Sequence, residues 1–524
     1  MSSITISNVA PISAFAIIVD PKDNVAVVKT ETWPGLEVSM PDGRVVHVTG
    51  RVTPGHRFAT RPIPRGSFVL QYGHPIGTSL GINEGQIIDH SVMSDDVPVI
   101  RALRDDLNNP PPDYIDVQNR ATFMGFRRPD GRVGTRNFIL LIPTSMCASH
   151  EAQQISMMAE FVLYRRAKFP NIDGVVAIPH NKGCGCQDGS TLDVMLRTLS
   201  NYADHPNVGG VILMDLGCEK TNLAKVEQYL LRREKSFNKP VAKIGIQDIG
   251  GTEAAIERGM REVERMLPTV NETSREPVSV SELVLGVKCG GSDGFSGISA
   301  NPSLGRTADV LVRSGGSVLI TEVPEFCGAE HILANRAKDA ETGHAIYRMV
   351  DWYKEYASKF GAVLNQNPSP GNVAGGLLNI TIKSLGAMSK AGTTRVEGVV
   401  EYAETPKSHG LHLMQGPGYD QESTPGLVAA GATVIVFTTG RGTTIGNAIA
   451  PVIKLASNSN VFERMSRDLD LSAGGVIDGV ETIDQVGERV FEHILRVASG
   501  EVLAKAEEHK HREFQFWAEQ TVSL

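Results

Sequence analysis

Short apolar runs separated by turns fill the first hundred residues of the chain. Runs rich in Val, Ile and Phe predict strands at residues 14–20, 24–30, 44–48 and 67–72. Turn sequences such as Pro41-Asp-Gly and Pro64-Arg-Gly separate these runs. The pattern contains no long amphipathic helix, so residues 1–105 are expected to form a small, irregular all-β domain.

A proline-rich segment follows this domain. The sequence Asn108-Asn-Pro-Pro-Pro-Asp cannot form a regular helix, and consecutive prolines favour an extended, semi-rigid path. Residues 106–120 are therefore predicted to be a linker.

From about Gly134, apolar runs of strand length alternate with segments of helical period. Buried strands are predicted at residues 137–143, 174–179, 210–215 and 241–246. A helix is predicted from Thr252, its expected N-cap, because apolar residues recur along one face from Ile256 to Leu267. Such alternation is typical of βαβ units, so residues 121–275 are expected to form an α/β domain with a mostly parallel sheet.

The alternation restarts after the polar segment 272–277. Further strands are predicted at residues 283–287, 317–321, 396–400, 411–414 and 433–438, with helices at 343–360 and 377–390. Residues 276–524 are expected to form a second α/β domain. The predicted fold is thus α/β, with two parallel-sheet domains behind a small N-terminal all-β domain.

Composition narrows the class of protein. The 524 residues are 41% hydrophobic and 21% charged, with a net charge of −8, so nothing indicates a nucleic-acid partner. No run of about 18 apolar residues predicts a membrane span, and the start lacks the pattern of a secretory signal. Six cysteines are too few for a disulfide scaffold in a chain of this length, so a cytoplasmic location is expected.

Five of the six cysteines fall just after predicted strands, where parallel sheets bind ligands. These are Cys147, Cys184, Cys186, Cys218 and Cys289, and His180, Glu219 and Asp293 lie near them in the sequence. Thiolates are soft ligands that suit iron or zinc, so a shared metal or iron–sulfur site is one interpretation. The alternative is that these cysteines are small apolar residues that pack at strand ends.

The glycine-rich sequence Cys289-Gly-Gly-Ser-Asp-Gly-Phe-Ser-Gly precedes a predicted helix start at Asn301. Its backbone N–H groups could cradle a carboxylate or phosphate, although it has the spacing of neither a Walker loop nor a dinucleotide fingerprint. A purely structural turn is the alternative.

Four other side chains are candidates for chemistry. Arg441, between glycines after a strand, is suited to bind a carboxylate through two hydrogen bonds, although it could equally be a surface arginine. Lys383 could act as a base if desolvated, but an exposed helix lysine is commoner. His56 and Tyr72 lie on turns of the β domain, where a histidine is more often simply solvated.

Several longer motifs resemble those of the altronate/galactarate dehydratase family over nearly the whole chain. They are Pro54-Gly-His-Arg-Phe-Ala, Tyr72-Gly-His-Pro-Ile-Gly, Gly131-Arg-Val-Gly-Thr-Arg-Asn, Leu216-Gly-Cys-Glu, Lys288-Cys-Gly-Gly-Ser-Asp-Gly-Phe-Ser-Gly-Ile-Ser-Ala-Asn-Pro, Thr321-Glu-Val-Pro-Glu, Asn367-Pro-Ser-Pro-Gly-Asn, Lys383-Ser-Leu-Gly and Thr438-Thr-Gly-Arg-Gly-Thr. The chain departs from the family pattern at Lys182, Val373 and Thr444, where the family usually has Tyr, Lys and Pro. These departures leave the exact sugar acid open.

The resemblance implies an N-terminal β-clip domain of the SAF type, followed by dehydratase domains. It implies a hydro-lyase that removes water from an altronate- or galactarate-type acid to give a 2-keto-3-deoxy sugar acid. It also implies Fe²⁺, Mn²⁺ or another divalent metal, and a [4Fe–4S] cluster is the alternative. The family's cysteine positions correspond to Cys147, Cys184, Cys218 and Cys289.

Residue roles are assigned on this basis as hypotheses. The metal is assigned to Cys184, Cys218 and Cys289, with Cys147, His180 and Glu219 as further candidates. The catalytic set is His56, Lys383, Arg441 and Asp293, with His56 and Lys383 as acid and base and Arg441 as carboxylate clamp. The substrate-binding set is Tyr72, Ser292, Ser296, Asn301, Asn372 and Thr443.

Two other functions remain open at this point. One is a related lyase that expels another β-substituent, as sulfolactate sulfo-lyases do. The other is a sugar-acid-binding protein with a decayed site. In each case the expected ligand is a small molecule, without nucleic acid or membrane, and a homo-oligomer, a dimer, is expected.

Overall fold

The computed structural model describes residues 9–231 and 237–517. The N-terminal part consists of short strands in three-stranded sheets of order β1-β4-β5, β2-β3-β6 and β7-β8-β9. Its elements are β1 (Ala10–Pro11), α1 (Ile12–Phe15), β2 (Ala16–Ile17), β3 (Val25–Val28), β4 (Leu36–Ser39), β5 (Val45–Val48), β6 (Arg57–Ala59), β7 (Phe68–Gln71), β8 (His74–Ser79) and β9 (Met93–Ser94).

The strand predicted at residues 14–20 is confirmed only at Ala16 and Ile17, because residues 14–15 are helical and residues 18–20 lie outside any strand. Pro11, with φ of −63°, leads into the single helical turn α1, and only Ala16 and Ile17 pair with β3. The turn buries Ile12 in the core of this domain. The other predicted strands of this region are confirmed within a few residues.

The second domain has a four-stranded parallel sheet of order β13-β12-β14-β15, and a small antiparallel sheet, β11-β10-β16, joins its two ends. Its strands are β10 (Thr122–Arg127), β11 (Val133–Gly134), β12 (Phe138–Pro143), β13 (Gly174–Ala177), β14 (Val208–Asp215), β15 (Val241–Gly245) and β16 (Arg275–Ser279). Its helices are α2 (Ser149–Val162), α3 (Ser190–Asp204), α4 (Leu223–Leu231), α5 (Ile246–Ile249) and α6 (Thr252–Asn271).

Thr252 does not cap α6. The N-cap is Gly251, and the Thr252 hydroxyl instead donates to Glu151 Oε1 at 2.8 Å, which ties α6 to α2. The predicted N-cap was therefore one residue late, because a tertiary contact takes the hydroxyl.

The C-terminal domain is built on seven parallel strands of order β19-β20-β18-β17-β21-β22-β23. The strands are β17 (Val284–Cys289), β18 (Ser317–Ile320), β19 (Val396–Val400), β20 (Gly410–Met414), β21 (Val434–Thr439), β22 (Val452–Ala456) and β23 (Leu471–Ser472). The helices are α7 (Ala300–Arg313), α8 (Glu330–Ala334), α9 (Ala340–Lys359), α10 (Pro370–Ala374), α11 (Ile380–Met388), α12 (Asp420–Ala429), α13 (Ser459–Arg464), α14 (Gly474–Asp478), α15 (Ile483–Ala498) and α16 (Lys505–Glu508).

Two strands of this sheet were not predicted. The buried Lys454 interrupts the apolar run of β22, and β23 is only two residues long. The fold class itself is confirmed: a small all-β N-terminal domain precedes two α/β domains with parallel sheets. Among the described helices, none combines the length and the apolar character that crossing a membrane requires.

The C-terminal domain lies between the other two. Its strand residues Leu285 and Val287 share one apolar core with Val69 and Ile76 of the N-terminal domain. On its other side, Phe437 shares a core with residues of the second domain. The turns of the N-terminal domain are thereby held against the loops of the seven-stranded sheet.

Candidate active site

The carboxyl edge of the seven-stranded sheet is the place where open α/β sheets bind ligands. β17 lies between β18 and β21, so the loops after these three strands meet at this edge. Backbone bonds join two of the loops: Gly290 N donates to Thr438 O at 3.1 Å, and Arg441 N donates to Gly291 O at 2.8 Å.

A buried ion cluster lies at this edge. The Lys288 ammonium, at the end of β17, pairs with the Glu322 carboxylate and lies 3.0 Å from Asp420 Oδ1. Lys288 and Glu322 are almost completely buried. Glu322 has a φ of 73°, in the left-handed region that non-glycine residues rarely adopt, and strained residues of this kind cluster at active sites.

The cluster continues through a second lysine. Lys390 Nζ, just after α11, donates to Glu325 Oε2 at 2.5 Å and to Cys289 Sγ at 3.0 Å. The Cys289 thiol in turn lies 3.0 Å from Glu325 Oε2. All three side chains are buried, so the lysine and the carboxylate compensate each other's charge away from water.

These neighbours set the protonation of the acids. Burial raises the pKa of Glu325, but the neighbouring lysines outweigh it and hold that pKa well below its usual range. Burial and the charge of Glu325 raise the pKa of Glu322 above its usual range, against the charge of Lys288. Burial raises the pKa of the Cys289 thiol to about 12, so this sulfur is neutral at physiological pH. Glu325 is thus a fixed anion, whereas Glu322 is suited to hold a proton.

Lys383 lies at the edge of the cluster, and its side chain is partly exposed. Its Nζ donates to Asn367 Oδ1 at 2.9 Å and lies 3.6 Å from Glu325 Oε1, with 10% of the side chain exposed. A cavity of about 520 Å³ adjoins this point. Its lining includes Pro324, Asn367, Gly418 and Glu422, together with the rings of Tyr353, Tyr356, Phe360, Tyr419 and Trp517.

Asp293 anchors the glycine-rich loop. Its Oδ1 accepts hydrogen bonds from Phe295 N, from Ser296 N and Oγ, and from Ser457 Oγ, at 2.9–3.1 Å, and its Oδ2 accepts one from Asn458 Nδ2 at 3.0 Å. Burial raises the pKa of Asp293. With five donors to its two oxygens, this carboxylate is well suited to fix the loop. These contacts support a positioning role for Asp293 and Ser296, while the catalytic role of Asp293 and the substrate-binding role of Ser296 stay predictions.

The turn that carries His56 docks directly on this region. A Cβ at Gly294 would lie 2.2 Å from Gly55 O, so only glycine permits this backbone approach. His56 Nε2 lies 3.3 Å from Ala374 O. Because a carbonyl oxygen only accepts, Nε2 carries the proton and Nδ1 keeps its lone pair. Burial lowers the pKa of His56, which favours this neutral form near pH 7.

Most of the predicted substrate-binding residues meet at the same junction. The Tyr72 hydroxyl packs against Gly297, where a Cβ would lie 2.5 Å from it, and burial raises its pKa to about 12. Asn372 Nδ2 donates to Ser292 O at 2.8 Å. The side-chain amide of Asn301 binds within the protein at both ends, since its oxygen accepts from Thr438 Oγ1 and its nitrogen donates to Gly386 O at 3.1 Å.

Arg441 and Thr443 lie at the rim. The Arg441 side chain is exposed, and Thr443 is half-buried with its hydroxyl 3.4 Å from Ile445 N. The clamp role of Arg441 stays a prediction.

The structure places the remaining predicted ligands in the second domain. Cys147, Cys184 and Cys218 are exposed on loops after β12, β13 and β14, and Met146 N donates to Lys182 O at 2.6 Å between two of these loops. These thiols lie at the edge of a different sheet from the buried Cys289.

The other two predicted ligands in the second domain, His180 and Glu219, already form hydrogen bonds within the protein. His180 Nε2 donates to Pro143 O at 2.9 Å, its Nδ1 accepts from Lys182 N at 3.2 Å, and burial lowers its pKa to about 4. The Glu219 carboxylate accepts from Ser145 Oγ at 2.8 Å and from backbone N–H groups at 2.8 and 2.9 Å.

A metal does not fit these side chains as they are placed. Within residues 9–231 and 237–517, no three His, Cys, Asp or Glu side chains converge to hold one ion. At the sheet edge, Lys288 and Lys390 already occupy the positions that a cation would take beside Glu322 and Glu325. The predicted metal set of Cys184, Cys218 and Cys289 is not brought together.

Sequence reasoning missed Lys288, Glu322, Glu325, Lys390 and Asp420. A signal was available for the first three, because Lys288 ends an apolar strand and Glu322 and Glu325 directly follow one. The rule that residues after parallel strands face ligands points to these three charges as well as to the cysteines. Lys390 lies on a helix 65 residues from Glu325, and no local pattern shows their pairing.

Three protein-family models together match nearly the whole chain. Residues 14–95 match the altronate/galactarate dehydratase SAF domain, and residues 125–271 match the D-galactarate dehydratase/altronate hydrolase second domain. Residues 280–522 match the D-galactarate/altronate dehydratase C-terminal domain.

Individual relatives match over similar lengths. Altronate dehydratase of Bacillus subtilis is 35% identical over 465 residues, which cover 88% of this chain and 90% of the relative. Galactarate dehydratase (L-threo-forming) of Escherichia coli is 35% identical over 508 residues, 95% of each chain. The (2R)-sulfolactate sulfo-lyase subunit beta of Chromohalobacter salexigens is 34% identical over 396 residues, 75% of this chain and 96% of the relative.

Proposed function

The chain belongs to the D-galactarate/altronate dehydratase family, whose members named above as dehydratases are hydro-lyases, and on that premise we propose that it removes water from an altronate- or galactarate-type sugar acid. The proposed product is the 2-keto-3-deoxy sugar acid. The observation that carries this proposal is the buried cluster of lysines and carboxylates at the carboxyl edge of the seven-stranded sheet.

The reaction needs a base for the proton next to the carboxylate. That proton is weakly acidic, so the base must be in its unprotonated form and placed at the reacting carbon. His56 meets the first requirement, because Ala374 O fixes its proton on Nε2 and leaves Nδ1 to accept. We assign proton abstraction to His56 Nδ1.

The departing hydroxyl needs a proton donor. Lys383 already donates to Asn367 Oδ1, at the margin of the cluster and beside the cavity. The segment from Asn367 to Gly376 contacts Lys383 at one end and His56 at the other. We assign protonation of the leaving hydroxyl to Lys383, while Glu325 holds its ammonium group in place.

The metal expected from the family resemblance stays a prediction. Fe²⁺, Mn²⁺ or a [4Fe–4S] cluster would act as a Lewis acid on the substrate oxygens. Since the described side chains offer no convergent ligand set, no step is assigned to such a group. The expected homodimer and cytoplasmic location likewise stay predictions.

A second candidate is supported by one observation. The sulfo-lyase relative covers 75% of this chain at 34% identity. Elimination of sulfite uses the same abstraction of a proton next to a carboxylate and differs in the leaving group. The similarity to relatives named as dehydratases over about nine-tenths of the chain argues against a decayed binding protein.

The test is turnover by purified protein. Altronate, galactarate and sulfolactate are each incubated with the wild type, and the release of 2-keto acid and of sulfite is measured. A 2-keto-3-deoxy acid from altronate or galactarate supports the proposal, and sulfite release from sulfolactate alone would favour the second candidate.

A further inference from the structure

The cavity beside Lys383 is lined by aromatic rings from three distant segments of the chain. The rings belong to one face and the end of α9, to the residue before α12 and to the segment after α16: Tyr353, Tyr356, Phe360, Tyr419 and Trp517. Tyr419 and Phe360 are about half exposed. The volume of about 520 Å³ lies within the range of small-molecule sites, about 300–1,000 Å³. Exposed rings that line a concave surface of this size are typical of a ligand site.

One side of the cavity connects it to the proposed proton donor. Asn367, which accepts the Lys383 hydrogen bond at 2.9 Å, lines the cavity, and so does Pro324, the residue before Glu325. A Cβ at Gly418 would lie 3.2 Å from Pro324 Cγ and 3.5 Å from Asn367 Nδ2, so these three segments pack together there. If the leaving hydroxyl of a substrate meets Lys383, the cavity is the space for the carbons beyond that hydroxyl.

Of the described residues that line the cavity, Glu422 alone is charged. It lies in the first turn of α12, two residues after the Asp420 that contacts Lys288. Gln515 Nε2 donates to Glu422 Oε1 across 3.4 Å, which is long for a hydrogen bond. Burial raises the pKa of Glu422 to about 7, and among the described charges only that of Lys182, which does not line the cavity, opposes the rise. A ligand that donates hydrogen bonds to this carboxylate would stabilise its charged form.

The rings and the carboxylate select different features of a ligand. The faces of aromatic rings carry negative charge density and attract the partly positive C–H groups of a carbon chain. A carboxylate accepts hydrogen bonds from hydroxyls and repels a second carboxylate. No Lys or Arg among the described lining residues could compensate a carboxylate of the ligand. The cavity therefore fits a carbon chain with hydroxyls and disfavours an acid group at that end.

We propose that this cavity binds the far end of the sugar acid, with the rings against its carbon chain and the Glu422 carboxylate accepting hydrogen bonds from its hydroxyls. This assignment rests on the proposed function and narrows its substrate class. The substrate is an acid with one carboxylate, of the altronate type. A galactarate-type acid, which has a carboxylate at each end, is disfavoured by the charge of Glu422.

Binding of the two possible products tests this assignment without turnover. The 2-keto-3-deoxy acids derived from altronate and from galactarate have already lost the leaving hydroxyl, and their far ends are a hydroxymethyl group and a carboxylate. The full chain is titrated by calorimetry at about pH 8, above the pKa of Glu422. The wild type should bind the altronate-derived acid at least about tenfold more tightly. Glu422→Gln removes the repelling charge and should reduce this preference to less than about threefold.

Matched variants separate these roles from general effects on folding. Glu355→Gln changes an exposed glutamate of α9, 3.1 Å from Lys359, and should keep the wild-type preference. Tyr419→Ala should weaken binding of the altronate-derived acid by about fivefold, because a ring face is lost. Tyr114→Ala removes a ring of similar exposure outside the cavity, 48% against 52%, and should bind as the wild type does. Folding of each variant is checked by its circular dichroism melt.

Three binding results would overturn the proposal. The first is wild-type protein that binds the galactarate-derived acid as tightly as the other acid or more tightly. The second is a folded Glu422→Gln variant with the wild-type preference. The third is binding of tetramethylammonium that depends on Tyr419 and Glu422, without binding of either acid, because the cavity would then be a cage for an organic cation.

Kinetics distinguish this proposal from the proposed function. The wild-type kcat/KM for altronate should exceed that for galactarate at least about tenfold, and the ratio should fall below about threefold in Glu422→Gln. Dehydration of both acids with equal kcat/KM would keep the proposed reaction and overturn the substrate class. A binding preference that depends on Glu422, in a protein that dehydrates neither acid, would leave the cavity assignment standing and remove the proposed reaction.

Discussion

Lys390 and Glu325 form an ion pair at 2.5 Å in which neither side chain reaches solvent. The pair connects the turn after α11 to the loop after β18, and the Cys289 thiol contacts both partners. Burying two charges is costly, and loss of either partner leaves the other unpaired.

We therefore predict that Lys390→Met destabilises the protein by about 3–5 kcal/mol, because the Glu325 carboxylate remains buried without its cation. Lys359→Met, which removes a lysine from the exposed pair with Glu355, should cost less than about 1 kcal/mol. Urea unfolding measures both. A Lys390→Met variant as stable as Lys359→Met would show that the buried pair contributes nothing.

Lys383→Met should lower kcat by about 10²–10⁴, the usual contribution of general acid–base catalysis, because the leaving hydroxyl loses its proton donor. KM should change little, since Lys383 acts on the leaving group. The assay is initial rate against sugar-acid concentration, with Lys359→Met as the matched lysine. A kcat of Lys383→Met within threefold of the wild type would exclude the assigned role.

The activity should fall on the acid side as His56 becomes protonated. Burial lowers the pKa of His56, so the base is active above that pKa, and the loss should occur below pH 6.5. His56→Asn should lower kcat/KM and abolish this acid limb. His47→Asn, an exposed histidine 3.4 Å from Glu37, should keep the wild-type pH profile. If His56→Asn still loses activity at acid pH as the wild type does, a group other than His56 causes that loss.

Gly294→Ala should disturb docking of the His56 turn, since the new Cβ would lie 2.2 Å from Gly55 O. Displacement of a catalytic group by a few tenths of an ångström or more should lower kcat at least about tenfold. Gly50→Ala is the control, because a Cβ there has no neighbour within 4 Å. Equal rates for the two alanine variants would show that the turn does not need this close approach.

Metal removal should leave the fold intact. The lysines of the sheet-edge cluster compensate its carboxylates, so treatment with a chelator should shift the melting temperature by less than about 2 °C, under about 1 kcal/mol. Iron, manganese and acid-labile sulfide are measured on the same sample, purified without oxygen. A much larger shift would show that an ion stabilises the native state, and iron with equal sulfide would indicate a cluster on the cysteines.

The sequence was most informative where burial creates local patterns. The run at β12 is apolar throughout and that of β17 is apolar up to Lys288, as expected of strands covered on both faces, and their alternation with helices predicted parallel sheets. β23 was not predicted because a strand of two residues is too short to show an alternating pattern. The helical turn α1 was not predicted because its four residues fit a strand equally well.

The site could be predicted only in part, for a physical reason. His56 and Lys383 belong to recognisable motifs, and the structure places both against the segment from Asn367 to Gly376. The partner of Lys390 is set by the packing of α11 on a distant loop, which no spacing encodes. The sequence could not show whether Cys184 and Cys218 lie near Cys289, because following a strand fixes which edge of its own sheet a residue occupies and not whether two sheets share that edge.

The central claim is that the cluster at the carboxyl edge of the seven-stranded sheet is the active site of a sugar-acid dehydratase. The most direct test is formation of 2-keto-3-deoxy acid from altronate and from galactarate by the wild type and by Lys383→Met, both shown to be folded. We expect the wild type to convert at least one of the two acids and Lys383→Met to lose at least about 99% of that rate. Equal turnover by both proteins would contradict the claim, as would no turnover of either acid by the wild type supplied with Fe²⁺ or Mn²⁺.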